Sequence, residues 1–161
     1  MPRVFIGIGS NIDKEKNILS SVTALRDCFG RLEISSVYQT RAVGFEGDDF
    51  HNLVVGLDAR VSPREIGQTL KQIETEHDRT HGKEQFESRT LDLDQLLYGD
   101  LIVQEDGVRL PHPDILRYSF MLRPLAELAT DVQHPEEKRT FGELWKAHRM
   151  CGEMKRVEYR F

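Results

Sequence analysis

The order in which hydrophobic periodicities follow one another is the strongest constraint in this chain. Val4 to Ile8 is a short apolar run that stops at Gly9-Ser10-Asn11, the pattern of a strand entering a turn. Asp13 then stands where a helix cap belongs, and Ile18, Val22, Leu25 and Phe29 repeat at helical spacing up to Gly30, a C-terminal cap. Ile34 to Thr40, rich in Val, Tyr, Ser and Thr, predicts a second strand. After a loop with Gly44, Gly47, Asp48 and Asp49, Phe50 to Ala59 predicts a third. Its alternation puts Leu53, Val55 and Leu57 on a core face and Phe50 and Asn52 on the other.

Ser62-Pro63-Arg64-Glu65 is a capping box with Pro at the first helical position. Ile66, Leu70, Ile73 and His77 form the stripe of a helix ending near Arg79, followed by a polar loop from Thr80 to Ser88. Leu91 to Tyr98 predicts a fourth strand. The order β-α-β-β-α-β predicts an α+β fold, an antiparallel sheet with both helices on one face, as in ferredoxin-like folds. The last third reads as an extension. Residues 101–103 and 108–110 flank Asp106-Gly107 as a hairpin. A helical stretch within Phe120–Ala129 starts near Pro124, and Thr140-Phe141-Gly142-Glu143 opens a short helix. Residues 1–161 read as a single domain, with no repeat, low-complexity tract or linker.

Charge narrows the function. Lys and Arg number 22 against 27 Asp and Glu, a net charge of −5, which argues against broad contact with nucleic acid or an anionic membrane. No apolar run approaches the roughly 18 residues of a membrane span. Met1-Pro2-Arg3 followed by Val4-Phe5-Ile6 lacks the build of a signal peptide. Two cysteines, Cys28 and Cys151, make no disulfide framework. The expectation is a cytoplasmic protein, a monomer without a protein partner.

The sharpest local signal is Arg89-Thr90-Leu91-Asp92-Leu93-Asp94. On a strand, Asp92 and Asp94 leave the same face roughly 7 Å apart, and Leu91 and Leu93 leave the other. Two carboxylates so placed suit Mg²⁺, which is commonly held by one or two carboxylates plus substrate phosphates. Arg89 beside them adds what a polyphosphate needs. A solvated strand face with two acids has the same spacing. Arg79, His81, Lys83 and Arg89 surround a stretch without periodicity, which reads either as a basic lid over phosphates or as a surface loop of mixed charge. His112 lies in a Pro-flanked turn with Arg117 five residues on, where it is structural or a donor to phosphate. Phe50 and Asn52 pair an aromatic plate with a two-sided hydrogen bonder, a combination that suits a flat heterocycle. Gly7-Ile8-Gly9 begins like a dinucleotide fingerprint but lacks the third glycine. His77 and His81 are spaced as in zinc hydrolases, yet Asp78 stands where those use Glu, and no third ligand is evident.

With these residues in place, the chain resembles the 6-hydroxymethyl-7,8-dihydropterin pyrophosphokinases of folate biosynthesis. The resemblance runs almost end to end. It covers the first strand into Gly9-Ser10-Asn11, Tyr38-Gln39-Thr40, Phe50-His51-Asn52, the Arg89–Asp94 string, Leu110-Pro111-His112-Pro113, and Phe120-Met121-Leu122-Arg123-Pro124-Leu125. It implies ATP as co-substrate, two Mg²⁺ ions held by Asp92 and Asp94, and transfer of pyrophosphate to the pterin hydroxymethyl group with release of AMP. By position, Arg79 and Arg89 would contact phosphates, with His112 near them. Lys71, Glu74, His81 and Arg117 would complete the nucleotide side. Thr40, Val43, Phe50, Asn52 and Phe120 would form the pterin pocket.

The chain departs from the family pattern in places. The arginine usual six residues after the histidine is Tyr118, with Arg117 one place earlier; the stacking Tyr is Phe50; the helix glutamine is Lys71; the loop is poorer in arginine. These departures leave open a weakened paralogue that acts as a small-ligand-binding module on the same fold. RNA binding would need a basic sheet face with several aromatics, and strand three offers only Phe50.

Overall fold

In the computed structural model of the chain, the described residues are 1–41, 49–81, 91–105, 107–149 and 153–161, without the side chains of 79–81. They form, in order, β1 (Arg3–Ser10), α1 (Lys14–Phe29), β2 (Glu33–Ile34), β3 (Val37–Thr40), β4 (Phe50–Asp58), α2 (Pro63–His81), β5 (Asp92–Tyr98), β6 (Val103–Glu105), β7 (Val108–Leu110), a 3₁₀ turn (Pro113–Ile115), α3 (Ser119–Leu128), α4 (Phe141–Ala147) and β8 (Lys155–Val157). The main sheet runs β5-β1-β4-β3-β8, with β2 also on β4, and its described pairings are antiparallel. With β2 and β3 counted as one interrupted strand, this is the ferredoxin-like order expected from the sequence.

Both faces of the sheet are covered. Val4, Ile6 and Ile8 of β1, Leu53, Val55 and Leu57 of β4, and Leu91 and Leu93 join the stripes of α1 and α2 in a first core. Phe5, Val54, Leu96 and Leu97 face the other way, into a second core with α3 and α4. A central strand buried on both sides is why Val4–Ile8 reads as continuous apolar sequence rather than alternation. A register shift between Phe5 and Ile6 on β1 inserts an extra residue on β5 and lets Leu96 and Leu97 share the second core.

The structure corrects several boundaries. The strand over Ile34–Thr40 breaks at Ser35, whose Oγ accepts from the Val54 amide at 2.9 Å and so takes the place of a ladder carbonyl. Asp13 does occupy the cap position of α1, but with φ 43° and no side-chain capping bond. Helix α2 runs to His81, two residues beyond the expected end, and the rest of the expected Thr80–Ser88 loop lies outside the described residues. Helix α3 starts at Ser119 and encloses Pro124 instead of beginning there. Burial of Met121, Leu122 and Leu125 in the second core offsets the one backbone bond that proline removes. The first hairpin strand is 103–105, two residues later than expected, with Gly107 at φ 76° in the turn. Nothing in the sequence pattern pointed to β8. Both capping boxes form: Glu65 N–H donates to Ser62 Oγ at 3.2 Å and Glu143 N–H to Thr140 Oγ1 at 3.1 Å.

Candidate active site

Three adjacent strands build the floor of a cavity of about 420 Å³. In register, Asp92 of β5, Gly9 of β1 and Asn52 of β4 form one cross-strand row, and Asp94, Gly7 and Val54 form the next. Cross-strand partners point to the same face, so the two acids and the asparagine look into one space across two residues without side chains. Gly9 keeps that row open, because a Cβ at that position would lie 2.7 Å from Asn52 Oδ1 and push the amide aside. Gly7-Ile8-Gly9 is therefore a bare strip in a strand rather than a phosphate-binding turn.

Asp92 and Asp94 both line the cavity, and Leu91 and Leu93 between and beside them anchor β5 in the first core. His112 stands beside Asp94, Nε2 to Oδ1 3.7 Å. Its Nδ1 accepts the Asp114 amide at 3.1 Å, capping the 3₁₀ turn. With Nδ1 used as an acceptor, the ring's N–H is at Nε2, directed at the carboxylate. Burial works against charging this ring, but the neighbouring carboxylates of Asp94, Asp114 and Asp92 outweigh it, so its pKa lies above the usual 6.5. On the outer edge of β5, Glu74 of α2 accepts the Leu93 amide at 2.7 Å, which fixes the backbone between the two aspartates.

The opposite end of the cavity is rich in aromatic side chains. Phe50 of β4 lines it, as do Phe120 and Met121 of α3 and Tyr118 just before that helix, with Thr40 and Arg41 at the end of β3. The Tyr118 and Phe120 rings stack with centroids 5.0 Å apart. Asn52, 7% exposed, donates from Nδ2 to Thr40 Oγ1 at 3.1 Å, which fixes the amide's orientation and turns Oδ1 toward Gly9.

Six of the residues expected from the sequence thus meet in one cavity: Thr40, Phe50, Asn52, Phe120, Asp92 and Asp94. His112 joins through Asp94. Arg117 does not line it; its side chain is 68% exposed, with the guanidinium 3.6 Å from Asp114, while Tyr118 takes the inward place. Lys71 is exposed on α2. Val43 and Arg89 lie outside the described residues, as do the side chains of Arg79 and His81. Sequence reasoning missed Gly7, Gly9, Tyr118 and Met121. Only the glycines carried a signal, two residues apart on a strand with no turn to serve.

The donor set fits magnesium. Two hard carboxylate oxygen donors share a face, and among the described residues no group of three His, Cys, Asp or Glu comes together as a closed zinc site would need. His77 is committed elsewhere, to the Ile73 carbonyl at 2.8 Å and Ser20 Oγ at 3.0 Å.

An antiparallel α+β sheet thus carries carboxylates at one end of a cavity and aromatic rings at the other. A family model for 7,8-dihydro-6-hydroxymethylpterin-pyrophosphokinase (HPPK) matches residues 5–130, and the chain belongs to that family. It is 34% identical over 139 residues to the 2-amino-4-hydroxy-6-hydroxymethyldihydropteridine pyrophosphokinase of Aquifex aeolicus, covering 84% of this chain and 85% of that one. It is 32% identical over 133 residues to the Bacillus subtilis enzyme of the same name, covering 80% and 79%. Wild-type Plasmodium falciparum HPPK-DHPS superposes with a TM-score of 0.70 at 13% identity, over 91% of this chain. The chain spans only 44% of that longer protein. That likeness establishes the shared fold.

Proposed function

We infer that this chain transfers the pyrophosphoryl group of ATP to the hydroxymethyl group of 6-hydroxymethyl-7,8-dihydropterin, releasing AMP, a step of folate biosynthesis. Membership of the HPPK family supports the reaction, and one observation carries it to these residues: Asp92, Asp94, Phe50 and Asn52 face one cavity across the Gly7–Gly9 strip.

The hydroxymethyl oxygen attacks the β-phosphorus in line, the bond from that phosphorus to the bridging oxygen of AMP breaks, and the hydroxyl proton leaves to solvent. The protein's part is positioning and charge stabilisation. Two magnesium ions held by Asp92 and Asp94 supply, when bound, neutralisation of the phosphate oxygens. His112 orients Asp94 through its Nε2–H. Glu74 holds the strand between the acids. Arg79, Arg89, Lys71 and His81 serve the triphosphate and nucleoside, a role for which Arg117, turned toward Asp114, is not placed. Asn52 pairs with the alternating donors and acceptors of the pterin edge, with Thr40 beside it, Phe50 and Phe120 enclose the ring, and Val43 is assigned to the same pocket. The reading is of a monomer in the cytoplasm acting on two small molecules without a protein partner, and the net charge of −5 argues against broad contact with nucleic acid or an anionic membrane. In the described residues, no helix is long and apolar enough to cross a membrane.

A coupled assay for AMP released from ATP tests the reading. AMP should form only when Mg²⁺ and the hydroxymethyl pterin are both present. Release that ignores the pterin, or no release at all, would refute it.

A further inference from the structure

The strand pair β3–β4 carries the cavity on one face and a second polar group on the other. Thr40 is paired with Phe50 and Tyr38 with Asn52, and Thr40, Phe50 and Asn52 line the cavity. The pair between them, Gln39 and His51, points the opposite way. There His51 Nε2 lies 3.0 Å from Gln39 Oε1, and His51 Nδ1 lies 2.7 Å from the hydroxyl of Tyr159. Gln39 Nε2 donates in turn to Asp49 Oδ2 at 3.3 Å. Tyr159 is delivered by β8, which pairs with β3 through Val37, Tyr38 and Gln39. Its ring packs on the first core and meets His51 edge-on, centroids 5.6 Å apart at 77°. All of β8 and Tyr159 lie beyond the residues 5–130 matched by the family model.

The protons on this chain of bonds have one arrangement. Gln39 Oε1 only accepts, so His51 Nε2 carries the hydrogen and Nδ1 is the acceptor. The Tyr159 hydroxyl must therefore donate. Burial, with Lys14 nearby, holds His51 below its usual pKa against the pull of Glu15 and Asp49, so the ring is neutral. Burial and Glu15 push the Tyr159 hydroxyl up to about 12, so it keeps its proton. One hydroxyl from the far end of the chain thus donates to the residue that sits between Phe50 and Asn52.

We propose that Tyr159 is a positioning residue for the pterin end of the site: its bond to His51, relayed to Gln39, holds β3 and β4 in the register that sets Thr40, Phe50 and Asn52 around the cavity. The assignment rests on the pyrophosphokinase reading and extends it to a segment that touches neither substrate. It acts on one substrate alone, because the acids stand on β5, separated from β3 by both β1 and β4.

Tyr159→Phe removes the hydroxyl and keeps the ring. Calorimetry with 6-hydroxymethyl-7,8-dihydropterin, in the presence of a non-hydrolysable ATP analogue and Mg²⁺, should show pterin affinity about fivefold weaker, the net worth of one hydrogen bond. Affinity for the analogue should stay within about twofold, and AMP release at saturating pterin should be retained, so that KM for pterin moves and kcat does not. In a His51→Leu background, Tyr159→Phe should add nothing; if that background does not fold, Gln39→Met replaces it. A purely structural role would lower the melting temperature without singling out the pterin. Three results would overturn the assignment: unchanged pterin affinity in Tyr159→Phe, equal loss for both ligands, or additive losses in the double variant. A wild-type chain that binds no pterin overturns the activity reading along with it, whereas a wild-type chain that binds pterin no better than Tyr159→Phe overturns this assignment alone.

Discussion

Replacing Gly9 with alanine isolates the geometry of the pterin end. The new Cβ would lie 2.7 Å from Asn52 Oδ1 and 3.9 Å from the Phe50 ring. Ordinary contact begins at 3.4 Å, so the amide must retreat by about 0.7 Å. That movement breaks the 3.1 Å bond to Thr40 Oγ1, a loss of about 0.5–1.5 kcal/mol. An alanine in a strand interior returns about 0.5–1 kcal/mol relative to glycine. Folding stability therefore changes by about 1 kcal/mol at most, a shift of roughly 2–4 °C in melting temperature for a chain of this size. Ligand recognition suffers more. A displaced Asn52 leaves pterin groups unpaired at about 1–3 kcal/mol, so affinity should fall roughly 5- to 150-fold. Calorimetric titration with the pterin plus the ATP analogue measures the loss, and a thermal melt measures the stability. In an Asn52→Ala background the added methyl meets no amide, and Gly9→Ala should cost little further. Gly7→Ala makes only ordinary contact, 3.6 Å from Leu96, and should fold like wild type. Wild-type pterin affinity in Gly9→Ala would refute the cross-strand packing that defines the site.

Three further outcomes follow from the same geometry. Asp92→Ala and Asp94→Ala should each abolish AMP release while the melting temperature changes little, because both side chains leave the sheet away from the first core; near-wild-type turnover would sink the metal assignment. Glu74→Ala strips the Leu93 amide of its acceptor and should destabilise the fold by about 1–3 kcal/mol, read as a lower urea midpoint, and an unchanged midpoint would show that solvent takes over the bond. His134 is 2% exposed, accepts the Glu136 and Glu137 amides at its Nδ1, and is held below its usual pKa by burial despite those two carboxylates. With the folded pKa below 6.5, the unfolded chain takes up the proton first, so stability should be flat above pH 6.5 and fall as pH drops from there toward the folded value. His51 acts with the same sign. His112, raised, acts oppositely: its contribution is full below 6.5 and lost as pH rises through its folded pKa. His134→Asn keeps an acceptor and removes the titration, so urea midpoints between pH 7.5 and 5.5 should show a flatter slope, and an unchanged slope would contradict the assignment.

What the sequence made legible was whatever repeats or caps. The stripes of α1 and α2, the two capping boxes and the alternation of β4 and β5 were all readable because periodicity reports directly which face is buried. The acids and the Phe50–Asn52 pair were readable for the same reason. Proline misled at position 124, where tertiary burial of Met121, Leu122 and Leu125 outweighs a local preference. Ser35 interrupts a strand through its own side chain, which no propensity encodes. Tyr118 faces inward because the 3₁₀ turn at Pro113–Ile115 places Arg117 against Asp114 instead, a choice made by the turn and not by the residue types. Strand β8, with its Lys155-Arg156-Val157, has too little apolar pattern to be seen before β3 is there to receive it.

The sheet is a partition with separate fillings on its two sides, and the site draws on both. Asp92 and Asp94 are moored by Leu91 and Leu93, which belong with α1 and α2. The wall of Phe120 and Met121 belongs with α4 and the 3₁₀ turn, anchored by Leu122, Leu125 and Phe141. The division is not clean: β5 also sends Leu96 and Leu97 into the second filling, and β4, which carries Phe50 and Asn52, is moored in the first by Leu53, Val55 and Leu57. Repacking either filling therefore moves both ends of the cavity together.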